Sequence, residues 1–210
     1  MATLRRTSGA ILTTLSLAAA LSISTGAPAQ AHSERPTCHG LKATIIGHGG
    51  VVRGTSHRDV IVLLSPSVVY AGGGNDVICG SRGRDRIHGG RGADVVWAGR
   101  GGDKVWGDSG NDRLHGGAGN DAISGGAGND KEWGDAGDDV ENGGEGDDTI
   151  GGGDGDDTIN SGPGDDHVDG DGGDDHCDGH HDDSGGSGPS DGDHHDQGEP
   201  TPTPTPTPTA

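Results

Sequence analysis

Apolar residues recur along this chain with a period of nine. From residue 71 to residue 178 the units AGGGNDVIC, GSRGRDRIH, GGRGADVVW, AGRGGDKVW, GDSGNDRLH, GGAGNDAIS, GGAGNDKEW, GDAGDDVEN, GGEGDDTIG, GGDGDDTIN, SGPGDDHVD and GDGGDDHCD follow without insertion. The eighth position is apolar in ten of the twelve: Ile78, Ile87, Val96, Val105, Leu114, Ile123, Ile150, Ile159, Val168 and Cys177. Glu132 and Glu141 are the exceptions. Positions 7 to 9 are too few for more than a short strand, with position 8 turned inward. Positions 1 to 6 are rich in glycine, which permits φ > 0 and a tight turn. A fixed period of this kind marks a stacked repeat. The pattern therefore predicts an all-β solenoid in which two nonads make one 18-residue coil and coils stack as parallel strands about 4.8 Å apart.

Flanking segments break the register. Residues 32 to 70 are the most apolar part of the chain after its N-terminal leader. Within them, GTSHRDVIV (54 to 62) is a degenerate nonad that keeps Asp59 but has His57 in place of the glycine. Residues 47 to 53 read as a nonad that has lost its aspartate. Because a repeat array needs an atypical end to close its apolar core, residues 32–70 are expected to form an N-terminal cap. Residues 179–210 dissolve into Gly, Ser, His and Asp and then TPTPTPTPT, the composition of a disordered tail. Residues 1–31 read as an export signal: MATLRR is a basic start, Ala10 to Ile23 is mostly apolar, and Ala29-Gln30-Ala31 matches an A-x-A cleavage site. The Arg5-Arg6 pair, between Leu4 and Thr7-Ser8, fits a twin-arginine signal only weakly. The expected location is secreted and extracellular, where thiols oxidise.

Charge narrows the partners. The formal net charge is −20, and no Lys or Arg follows Lys131, whereas 24 of the 34 acidic residues do. Such a surface repels nucleic acid and anionic lipid and collects cations. The expected partners are thus calcium ions and a cell-wall or surface partner of unspecified identity, with no nucleic acid, no membrane insertion and a monomeric chain.

Position 6 is aspartate in every unit, with glycine two residues before it. Stacking places these aspartates in two ridges. One is Asp76, Asp94, Asp112, Asp130, Asp148 and Asp166; the other is Asp85, Asp103, Asp121, Asp139, Asp157 and Asp175. Two oxygens on opposite sides of Ca²⁺, each at roughly 2.4 Å, are about 4.8 Å apart, the spacing of adjacent coils. Mg²⁺ would draw the turns too close, and transition metals prefer imidazole or thiolate. All twelve aspartates are therefore candidate Ca²⁺ ligands, and the gaps between stacked aspartates allow at most ten sites in the array. Without a cation, stacked carboxylates repel one another and the small apolar core cannot offset the ordering of so long a backbone, so metal and folding should be coupled.

GGAGNDAIS and its neighbours resemble the GGxGxDxUx nonapeptide of the RTX family, the haemolysin-type calcium-binding repeat. The resemblance implies a parallel β-roll, with calcium held by the position-6 aspartates and turn carbonyls. Cys38, ATIIG, GTSHRDVIV and NDVICG also resemble secreted actinobacterial members carrying little but these repeats, and that likeness favours a Cys38–Cys79 disulfide. Two departures stand out. RTX toxins and proteases commonly carry a C-terminal secretion signal, whereas this chain has an N-terminal one. Glu132 and Glu141 also put charge at an inward position, so the coil of Asp130 and Asp139 is expected to hold calcium least well.

Other features carry two readings each. Trp97, Trp106 and Trp133 all hold position 9, as a binding surface or as side chains covering the strand face. His176, His180, His181, His194 and His195 could chelate Zn²⁺ or Ni²⁺, or bind it adventitiously. Cys177 reads as a small core residue, and the Thr-Pro tail as a stalk or a linker. No H-E-x-x-H or G-x-S-x-G motif occurs, and residues 32–70 are too short for a catalytic domain, so no enzymatic activity is expected. A calcium-responsive structural or surface-interaction module and a metal buffer or scavenger remain.

Overall fold

A computed structural model describes residues 35–178, so the expected export signal and the expected tail lie outside the described residues. The strands are β1 (Thr37–Cys38), β2 (Leu41–Lys42), β3 (Ile45–Arg53), β4 (Val60–Gly73), β5 (Val77–Cys79), β6 (Arg86–Arg91), β7 (Val95–Arg100) and β8 (Lys104–Ser109). They continue as β9 (Arg113–Ala118), β10 (Ala122–Ala127), β11 (Lys131–Ala136), β12 (Val140–Glu145), β13 (Thr149–Asp154), β14 (Thr158–Asn160), β15 (His167–Gly172) and β16 (His176–Asp178). No helix occurs among the described residues.

The architecture is a parallel β-roll, as the nine-residue period requires. One face stacks β5, β7, β9, β11, β13 and β15; the other stacks β6, β8, β10, β12, β14 and β16. Every pairing within these stacks is parallel and offset by one coil, as in Val96↔Leu114, Leu114↔Glu132 and Glu132↔Ile150. β4 begins both stacks, because Val60–Val62 lie beside Val77–Cys79 and Val68–Gly73 beside Arg86–Arg91. That single strand runs across residue 70, so cap and array share one continuous ladder. β3 follows β4 with a bulge at Gly47/His48.

Most strands of the regular coils are longer than the three residues expected. β9, for example, covers positions 7 to 9 of one nonad and the first three residues of the next. Its burial alternates, with Leu114 and Gly116 inward. Position 1 is therefore a second inward site, and this is why Gly or Ala predominates there: the interior at that level has room for little more than a hydrogen or a methyl group. Glycine is needed most sharply at position 4. Gly128 has φ +133°, and a Cβ there would run into the Gly110 carbonyl group one coil below.

The apolar core is two stacks of position-8 side chains facing each other. It falls into two separate clusters. One runs from Val52 and Ile61 through Leu114 to Ile123, and the other holds Ile150, Ile159 and Val168 with Cys177 against it. Glu132 and Glu141 sit between them. At the N-terminal end, the Cys38–Cys79 disulfide joins the β1–β2 hairpin to the array (Cα–Cα 5.7 Å). Cys38 packs with Ala43, Val60, Val62 and Val77, so the bond is sealed in apolar surroundings.

Candidate calcium ridges

Each ridge aspartate is placed by the strand that follows it. The main-chain carbonyl of Asp94 accepts from Arg113 N–H one coil on (2.9 Å), and the same bond recurs from Asp76 to Asp157. The side chain works in the opposite direction. Oδ1 of each aspartate accepts from the main-chain N–H one coil below. In one ridge the donors to Asp76, Asp94, Asp112, Asp130, Asp148 and Asp166 lie at 2.7–2.9 Å. In the other, the donors to Asp85, Asp103, Asp121, Asp139, Asp157 and Asp175 lie at 2.6–2.9 Å. The carboxylates are thus held rigidly along the roll axis, with one oxygen spent on the ladder.

The other oxygen is left over. Oδ2 of Asp76, Asp94, Asp103, Asp112, Asp121, Asp130, Asp139, Asp148, Asp157 and Asp166 is buried without a hydrogen-bond partner. Where position 1 is glycine, the geometry around that atom can be read. A Cβ added to Gly116 would meet Asp121 Oδ2 at 2.6 Å and the Gly134 carbonyl oxygen at 2.8 Å. At Gly89 the pair is Asp94 Oδ2 at 2.6 Å and the Gly107 carbonyl at 3.0 Å. Two acceptors thus lie close together with no N–H or O–H between them, an arrangement that a proton on the carboxyl or a bound cation satisfies. Among the described residues, no Lys or Arg nitrogen lies within 4.0 Å of any carboxylate; the three close pairs all involve histidine. Nor do three acidic, His or Cys side chains converge on one point, so the donor set is carboxylate plus main-chain carbonyl. All-oxygen sets of this kind suit a hard cation of flexible coordination such as Ca²⁺.

Burial is the main reason these carboxyls resist ionisation. It raises Asp94, Asp121 and Asp130 to about 6 and Asp103, Asp112 and Asp139 to about 7, against which the ladder N–H groups pull downward. Glu132 and Glu141 go further, to about 8 and about 9.

The twelve aspartates are not equivalent. Asp85 has both oxygens engaged, because Ser81 N–H donates to its Oδ2 at 2.7 Å. Asp59 in the cap is held alike: Thr55 donates to its Oδ2 from both N–H (2.7 Å) and hydroxyl (2.9 Å), and the Thr44 hydroxyl donates to Oδ1 (3.2 Å). Thr55 and Ser81 both hold position 2, and each hydroxyl also clasps its own turn through the residue two places on. Other coils have a left-handed residue at position 2, such as Gly117 (φ +105°) or Asp108 (φ +71°). A hydroxyl residue at position 2 was therefore the sequence signal for a turn closed by protein donors alone. Asp175, at the last coil, is only partly buried.

A second row, at position 5, was not anticipated. Asn129 N–H donates to Asn111 Oδ1 (3.2 Å) and Asp165 N–H to Asp147 Oδ1 (3.1 Å), so exposed Asn and Asp side chains cap the coil above them. The recurrence of Asn or Asp immediately before the ridge aspartate was the available signal.

The tryptophans form ladders on the outer faces. Tyr70, His88 and Trp106 stack at ring spacings of 5.0 and 4.4 Å, with Arg53 over Tyr70. On the other face the order is His39, Trp97, His115 and Trp133, at 3.7, 6.0 and 4.4 Å. Most ring faces are consumed by stacking, which favours the strand-covering reading. His176 is exposed in β16, and the other histidines of the expected chelating cluster lie outside the described residues.

A family model described as the RTX calcium-binding nonapeptide repeat (4 copies) matches residues 70–105, 99–131, 106–141 and 142–177. No curated protein and no solved structure matches the chain.

Proposed function

Since the chain belongs to the RTX calcium-binding nonapeptide repeat family, we propose that it is a secreted protein whose roll folds on binding Ca²⁺ and then serves outside the cell as a rigid structural or surface-interaction module. The family's β-roll is a structural calcium-binding fold. The observation that carries the reading is the row of ten buried aspartate oxygens without a hydrogen-bond donor. Bound Ca²⁺ supplies the positive charge that those oxygens lack. Asp76, Asp94, Asp103, Asp112, Asp121, Asp130, Asp139, Asp148, Asp157 and Asp166 would hold it together with position-1 carbonyls, with Asp175 closing the last coil. Asp85 serves instead as a hydrogen-bonded end piece.

The extracellular part of the proposal rests on the leader-like residues 1–31 and on the disulfide, which suits an oxidising compartment. We assign no catalytic role: the buried ridge aspartates are accounted for by the repeat, and Cys177, its thiol pushed up to about 11 by burial, is a poor nucleophile.

Calcium titration followed by circular dichroism tests this. A cooperative gain of strand signal is expected, and equal strand content in EGTA and in millimolar calcium overturns it. The alternative, a metal buffer, predicts graded uptake of several metals with no folding transition.

A further inference from the structure

Glu132 and Glu141 occupy the inward eighth position of consecutive nonads, on β11 and β12. Glu132 stacks between Leu114 and Ile150, and Glu141 between Ile123 and Ile159. They are 0% and 1% exposed, and none of their four carboxylate oxygens has a hydrogen-bond partner. The N–H groups of Gly125 and Asn142 face Glu132 without closing a hydrogen bond of good geometry. An apolar side chain at either place would continue the core that these residues split, so the fold alone does not require them. Burying a carboxylate without a partner is costly.

Their orientation is specific. A Cβ added to Gly125 would meet Asp130 Oδ2, Glu132 Oε1 (2.5 Å) and the Gly143 carbonyl oxygen (2.6 Å). A Cβ on Gly134 would meet Asp139 Oδ2 and Glu141 Oε1, both at 2.5 Å, and the Gly152 carbonyl. Three oxygens so close to a single point lie within about twice that distance of one another, the span of oxygens across a Ca²⁺ ion. At Gly107 and Gly116, in the coils without a glutamate, only the aspartate oxygen and one carbonyl converge.

We propose that Glu132 and Glu141 are additional cation ligands, which turn the sites beside Asp130 and Asp139 into two-carboxylate sites that take Ca²⁺ more tightly than the rest of the array. The proposal rests on the calcium reading of the ridges and extends it to residues outside the repeat's aspartate pattern. Affinity of oxygen sites rises with ligand charge count, so an extra carboxylate in each site moves these two to the front of the filling order. The break in the apolar core then has a function: the coil that hydrophobic packing serves least is the one the metal holds first. This reverses the expectation that Asp130 and Asp139 bind calcium least well.

The test is the calcium isotherm of the full chain and of two double variants, E132Q/E141Q and E132I/E141I. The wild type should show a tight class of about two ions. Both variants should lose it, with the affinity of that class falling by roughly tenfold or more while the remaining ions bind as before. The isoleucine pair restores an apolar core and so folds at saturating calcium even if the glutamine pair does not. A folded E132I/E141I chain that keeps the tight class overturns the proposal. A wild type that binds no calcium at all overturns the calcium reading of the ridges as well, so the two failures are distinct. In protein carrying ¹³C at the glutamate carboxyls, two resonances missing from E132I/E141I should move on calcium saturation. If they stay at the protonated position at pH 7 in saturating calcium, the proposal is also overturned.

Discussion

Asp112 accepts a 2.7 Å hydrogen bond at Oδ1 from the main-chain N–H of Asp94, the residue 18 positions before it, while its Oδ2 is buried without a partner. Ten of the twelve ridge aspartates thus fasten the coil below while keeping a second, buried oxygen without a donor. On the proposed reading, coil stacking and cation binding are two uses of one carboxylate, which would couple them.

Asp112→Asn and Asp85→Asn should therefore differ. The first replaces a free anionic oxygen and should raise the calcium midpoint of folding several-fold with the loss of an ion from the stoichiometry. The second opposes an amide to Ser81 N–H and should cost about 1–3 kcal/mol of stability at saturating calcium, with stoichiometry unchanged. Equilibrium dialysis and thermal unfolding of both variants check this.

Protons and calcium should act oppositely along pH. The ridge carboxyls have folded-state values raised by burial, to about 6 for Asp94 and about 7 for Asp112, so the metal-free roll binds more protons than the unfolded chain between roughly pH 4 and 7. Its stability should fall as pH rises through that window. Glu132 and Glu141 extend the loss toward pH 8 and 9. In EGTA, strand content at pH 4 should exceed that at pH 8; in calcium the order should reverse, because protons compete for the same oxygens.

Gly128→Ala should be severe for one methyl group. Gly128 has φ +133°, and the added Cβ meets the carbonyl group of Gly110 one coil below. A cost of about 1–3 kcal/mol from the backbone conformation alone is expected, with the steric clash adding to it. Ala118→Gly, at an exposed position 3, serves as the control in calcium-saturated thermal melts.

Reduction of Cys38–Cys79 should loosen the N-terminal end. The bond closes a 41-residue separation, which in the chain-entropy model corresponds to about 4 kcal/mol. Hydrogen exchange should speed in β1 to β5 and stay slow in β9 to β13. Cys177 should remain the one titratable thiol of the oxidised protein, slow to react in calcium because burial raises its pKa to about 11.

The aromatic ladders give a local probe. Trp133→Ala removes the ring stacked on His115 at 4.4 Å and should cost about 0.5–1.5 kcal/mol beyond the lost burial. Its calcium-dependent near-UV dichroism should drop without a change in ion stoichiometry.

What the sequence alone determined was whatever depends on the period. A nine-residue repeat with one apolar position per unit has one compact solution, so the parallel coils, the two ridges and the inward eighth position were all legible. What only the tertiary structure decided was satisfaction: which oxygens find a donor. Asp85 and Asp112 have the same place in the nonad, yet one is closed by Ser81 and the other is left open. Glu132 and Glu141 read as flaws in an apolar row until the roll brought their oxygens beside those of Asp130 and Asp139 and the carbonyls of Gly143 and Gly152. The physical reason is range. A period sets where a side chain points, but whether a donor or a second oxygen reaches it depends on how its own turn closes, as at Ser81 and Asp85, and on the coils stacked against it, and only the folded stack fixes both.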